Sequence, residues 1–203
     1  MAYPTIDKPY GLQPINLIGG QVYAGSTRLM AIASGETTAI FFGDAVKLAS
    51  GYITREVADA AMAPVGIFMG CTYTDPSSNQ KVFKQYYPGA ITASDIQAYV
   101  VDDYDVLFKV AVVSSAADTT PITISGVTQA AVGFNAALVN NAGSTVTGDS
   151  AVGISSTTAT TNTLPVRIVD VVPDTRNSLG SYTEVIVKWN FGMHAYQRAE
   201  GNV

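Results

Sequence analysis

Short runs of β-branched and aromatic residues, broken every few positions by glycine, proline or polar clusters, fill most of this chain. Gln21 to Ile32 and Thr37 to Phe42 are β-rich and separated by the turn-like Ser34-Gly35-Glu36. Gly43-Asp44 makes a further turn before AVKLAS and YITRE, which meet at Ser50-Gly51. Val57 to Ala63 reads as one helical turn or an irregular bridge. PVGIFMGCTYT is a strand in which Gly66 and Gly70 signal bulges or close backbone approach. It turns at Asp75 to Asn79 and returns as KVFKQYY. AYVVDDYDVLFKVAVV reads as two strands around Asp102-Asp103-Tyr104-Asp105. LPVRIVDVV and YTEVIVKWNFGMH close the chain through the loop PDTRNSLGS. In the last strand Val185, Val187, Trp189 and Phe191 share one face at period two, the pattern of a core stripe. Many short strands at hairpin spacing predict an all-β fold: an antiparallel barrel or sandwich body with little helix.

Two segments depart from that pattern. Residues 1–20 carry Pro4, Pro9 and Pro14 five apart. Proline fixes φ and drives the preceding residue toward extended geometry, so an extended N-terminal arm is expected, with residues 21–203 as a single body. Tyr3, Tyr10, Leu12, Ile15 and Leu17 make the arm too apolar for a solvated tail. It either lies along its own domain or straps a neighbouring subunit through Tyr3, Pro4, Pro9, Tyr10, Leu12, Pro14, Ile15 and Leu17. The second segment, residues 114–164, has only Asp118 and Asp149 as charged side chains. VTQAAVGFNAALV within it reads as strand or short helix, and NNAGSTVTGDSAVGISSTTATTNT as a polar, turn-rich insertion.

Composition sharpens the fold class. Val, Ile and Thr number 58 against 35 for Leu, Met, Glu, Gln, Lys and Arg together, which excludes an all-helical protein. A net charge of −5 argues against a nucleic-acid partner, which calls for a basic face. Only 13% of residues are charged, about half the usual share, so much of the surface is expected to be covered by other subunits. The N-terminus lacks the basic and apolar regions of a secretory signal, and no run approaches the roughly 18 apolar residues of a membrane helix.

Chemistry has little to work with. Cys71 lies in a strand and reads as a small buried thiol. His194, the single histidine, has no nucleophile motif beside it and reads as a surface or interface residue. One Cys and one His do not make a zinc site, and no phosphate-binding glycine loop is present. Asp102, Asp103 and Asp105 fit a turn, although three carboxylates so close could hold Ca²⁺ or act as a glycosidase-type acid. Tyr73, Tyr86, Tyr87 and Tyr99 fit core and interface packing, with a sugar-stacking platform as the alternative. No catalytic, metal or cofactor residue is expected, and the chain is read as not an enzyme.

The segments YGLQPINLIGGQVYAGSTRLMAIASG, FFGDAVKLASGYITRE, PVGIFMGCTYTDPSSNQKVFKQYYPG and AYVVDDYDVLFKVAVV resemble virion structural proteins of tailed bacteriophages, a group common in phages of marine bacteria. Among these it is similar to capsid cement, or decoration, proteins. The resemblance runs over most of Tyr10 to Val113, weakly over PVRIVDVV and VIVKWN, and not over residues 114–164. It implies a homotrimer on the exterior of the phage capsid, made in the host cytoplasm, whose N-terminal arms reach onto the major capsid protein. It implies no enzymatic activity, cofactor, membrane or nucleic acid. A fibre or glycan-binding module and a tail-tube-like structural protein remain the alternatives.

Overall fold

The computed structural model describes residues 6–57, 62–114, 122, 125–175 and 182–198. Among them the strands are β1 (Gln13–Leu17), β2 (Arg28–Ala31), β3 (Ala45–Ala49), β4 (Tyr52–Arg55), β5 (Gly66–Thr74), β6 (Lys81–Lys84), β7 (Gln97–Val101), β8 (Val106–Val113), β9 (Asn135–Val139), β10 (Gly153–Ala159), β11 (Val166–Val171) and β12 (Glu184–Trp189). Among the described residues, helix is confined to two 3-10 turns, Gln129–Ala131 and Ala195–Gln197. The fold is all-β, as the pattern of short β-branched runs requires.

Two sheets share the work. In the first, β8, β10, β9, β11 and β12 pair in that order, and β12 pairs back to β8, closing a five-stranded barrel. Closure leaves no free strand edge around the ring. β8 (VLFKVAVV) is long enough to serve two neighbours on one side. Its first half pairs with β1 and its last two residues pair in parallel with β10. Its inward residues Val106, Phe108, Val110 and Val112 fill the barrel with Ile154, Ile168, Val187 and Trp189.

The second sheet runs β2-β7-β5-β3-β4, with β6 on β5, and β4 returns to within 8 Å of β2. Val46, Ile53, Phe68, Cys71, Tyr73, Val100 and Tyr87 form its core. A bulge between Phe68 and Cys71 lies opposite β7. Gly70 occupies it at φ +131°, a backbone angle side-chain-bearing residues rarely adopt. Ala45, Ile67 and Val101 from this sheet pack with the barrel core, so the two sheets are joined by buried apolar surface.

Several expectations are corrected. Gln21 to Ile32 yields only the short β2, with Val22 in an isolated bridge to Asn16. Thr37 to Phe42 contributes bridges at Ile40 and Phe42 instead of a strand. β7 and β8 flank a turn but belong to different sheets, so the Asp102–Asp105 segment is a crossover and not a hairpin. Most of the segment GISSTTATT is not loop: β10 lies between β8 and β9 in the barrel. Thr and Ser read as turn residues by polarity, yet Thr is β-branched and Ile154 anchors the strand in the core. Phe191 falls off the predicted stripe because β12 ends at Trp189 and a turn follows, leaving it 84% exposed. The helical-turn or bridge reading of Val57 to Ala63 falls largely outside the described residues.

Candidate interaction surfaces

The N-terminal segment lies along its own domain. Leu12 is fully buried in the barrel core and Pro9 is buried. Gln13 to Leu17 form β1, an edge strand with a bulge between Pro14 and Asn16, where Ile15 lies. Proline is tolerated there because an edge strand has a side without ladder partners. Gly11 threads between neighbours at φ +81°, and a Cβ on it would sit 2.7 Å from Gly43 O. Ile6 and Tyr10 pack on the outward residues Ala111 and Val113 of β8, which explains why the last part of β8 is apolar on both faces. Tyr10 donates its hydroxyl to the buried Glu184 carboxylate, which also pairs with Lys109 at 3.0 Å. Burial and this carboxylate hold the phenol far above its usual range. Within the chain, Leu12 and Leu17 therefore pack on the barrel core, Tyr10 on β8 and β12, and Pro14 is paired with β8, while Pro14, Ile15 and Leu17 stay half-buried. Burying this apolar stretch on the molecule's own barrel removes it from water without any neighbour. Tyr3 and Pro4 lie outside the described residues.

The remaining chemical candidates are held by separate structural contacts. Asp103 accepts the Asp105 amide at 2.8 Å, which makes the expected turn. Asp102 pairs with Arg28, and Asp105 pairs with Lys188 at 2.7 Å. Among the described residues, no group of three or more His, Cys, Asp or Glu side chains comes together as a candidate metal site. Cys71 is fully buried, and burial pushes its thiol up to about 12. His194, read from the sequence as a surface or interface residue, is fully buried within the chain beside Trp189 and Tyr104 and accepts the Tyr196 amide on Nδ1. Desolvation lowers its pKa. Its sequence neighbours Tyr196 and Phe191 are exposed, so local polarity gave no sign that the imidazole turns inward.

The tyrosines do not share a face. Tyr73 and Tyr87 are core residues. Tyr86 stacks on Phe41, with ring centroids 5.5 Å apart, and Tyr99 meets Phe83 at 5.7 Å. That last contact belongs to an apolar row across the outer face of the second sheet. Leu29 on β2 is the register partner of Tyr99 on β7. Phe83 on β6 lies over Gly70, where the missing side chain leaves room for its ring. Leu29 is 54% and Phe83 64% exposed.

A second surface was missed entirely by sequence reasoning. Ile18, Tyr104, Arg167, Lys188, Trp189 and Phe191 line a groove of about 250 Å³. Arg167 on β11 and Lys188 on β12 are direct cross-strand partners. Two cations in register in so charge-poor a chain are the signal, but register is not readable before β11 and β12 are known to pair. No family model, no curated protein and no solved structure matches this chain.

Proposed function

We propose that this protein is a capsid decoration protein of a tailed phage: a structural subunit that binds the outer surface of the head and ties major capsid protein subunits together, as a homotrimer. The observation that carries the reading is the apolar row of Leu29, Tyr99 and Phe83 on the outside of the second sheet. Large apolar side chains held open on an outer sheet face are surface for another protein to cover. A cement needs area more than chemistry, because specific interfaces bury on the order of 1,200–2,000 Å² in total. A closed barrel suits this duty, since its ladder is satisfied internally and it resists being pulled open. Because residues 6–17 pack along their own body, the faces of the body offer the larger surface for this grip.

The test is to mix the purified chain with undecorated heads of the phage that encodes it and to image the particles by cryo-electron microscopy. Density for the two-sheet body on the head exterior, in contact with the major capsid protein, is expected. Leu29→Asp with Phe83→Asp should abolish that density while sedimentation still gives a folded trimer. Failure of the wild-type chain to bind heads, or its location elsewhere in the virion, overturns the reading.

A further inference from the structure

The groove between β12 and the β7–β8 turn has features that the fold alone does not require. Like charges directly opposite one another on neighbouring strands destabilise a sheet, yet Arg167 and Lys188 are such a pair. Asp105 neutralises Lys188 at 2.7 Å. Arg167 receives no carboxylate from the described residues: its Nε donates to Asn135 Oδ1 at 3.0 Å, which orients the guanidinium and leaves its charge. Asn135 is itself buried and donates to Thr161 O at 2.9 Å, so that orientation is fixed before anything binds. Trp189 lines the same groove and is 3% exposed; its indole Nε1 is buried and has no acceptor among the described residues. On the lip, Phe191 and Tyr104 are 84% and 42% exposed.

The Arg167 guanidinium and the Lys188 ammonium donate and do not accept, and the other polar side chains of the lining, Asn190 and Gln197, are neutral amides. A carboxylate brings the negative charge that Arg167 lacks among the described residues, whereas a neutral sugar hydroxyl brings none. The groove's 250 Å³ is below the ~300–1,000 Å³ of whole small-molecule sites and suits one or two side chains. We infer that the groove receives a Glu or Asp side chain from a segment of a partner protein, with the carboxylate at Arg167 and an adjoining apolar side chain against Phe191 and Tyr104. The partner being a protein rests on the decoration reading; the carboxylate specificity rests on the groove.

Trp189 is the single tryptophan of the chain and borders the groove, so its indole N–H gives one resonance that reports on changes there. The ¹⁵N-labelled full-length protein is titrated with acetyl-Phe-Glu-amide, acetyl-Phe-Gln-amide and glucuronic acid. A saturable Trp189 shift with the Glu peptide, absent with the Gln peptide and weakened by salt, is expected. Arg167→Gln should weaken it about tenfold, the value of a charge-assisted hydrogen bond. No shift with the Glu peptide, an equal response to both peptides, or unchanged binding by Arg167→Gln overturns the proposal. So does a shift with glucuronic acid alone, which would make the groove a sugar site. The titration contains no heads, so its failure is separate from failure of head binding.

Discussion

Arg55 Nε lies 2.9 Å from Asp44 Oδ2 where the two sheets meet, and the pair fixes the loop that joins β9 to β10. Ser150 donates to the other Asp44 oxygen at 2.6 Å, the Phe41 amide donates to Oδ2 at 2.9 Å, and Arg55 reaches Asn141 O at 2.9 Å. Asp44 is fully buried. A loop almost without charge is thus held by a buried ion pair between Asp44, in the turn before β3, and Arg55 on β4.

Removing one member leaves the other charge stranded. Asp44→Ala should destabilise the protein by about 3–5 kcal/mol, because Arg55 loses its counter-ion and the Ser150 and Phe41 donors lose their acceptor. Replacing both charged residues by apolar ones should cost much less. Urea denaturation of the single and double variants checks the difference; equal losses would show that the charge is not what matters.

Leu12 sits in the barrel core, so the N-terminal segment is part of the fold. Leu12→Ala is expected to cost about 2–5 kcal/mol in equilibrium unfolding. Deleting residues 1–20 removes β1 and uncovers the outward face of β8, and should yield protein that unfolds at markedly lower denaturant. A truncated chain as stable as the parent would mean the segment only rests on the barrel.

Burial holds the Cys71 thiol near 12, so at pH 8 it stays protonated and covered. Ellman's reagent should leave the native protein unmodified and react with one thiol once urea unfolds it. Rapid native labelling would show that the second sheet opens locally.

Acid should weaken the fold through His194. Its folded pKa lies below the ordinary 6.5, so between the two values the unfolded chain binds more protons than the folded one. Stability is therefore full above about pH 6.5, falls as pH drops through that value, and levels off below the folded pKa. His194 is the single histidine, and His194→Asn should flatten this part of the profile of urea midpoints against pH.

The surface candidates show where the sequence stopped being informative. The Val, Ile and Thr excess, the hairpin at Ser50-Gly51, the glycines of β5 and the stripe of Val185, Val187 and Trp189 were all legible, because each depends on residues close in the chain. His194 and Phe191 were misjudged together: one was read as a surface or interface residue and is buried within the chain, the other was expected inside and is exposed. Both follow the end of β12, where a turn resets the alternation of faces, and nothing local fixes the residue at which a strand stops.

What the sequence determined by itself was the class of structure. β-Branched side chains and turn residues act over a few positions, and they dictate strands whatever the strands later pair with. The tertiary structure decided which strands meet: that β8 serves β1, β10 and β12, that the N-terminal segment covers the molecule's own barrel, and that Arg167 faces Lys188. Those outcomes depend on register and on burial between residues far apart in the chain, where many pairings satisfy the local pattern and packing selects one.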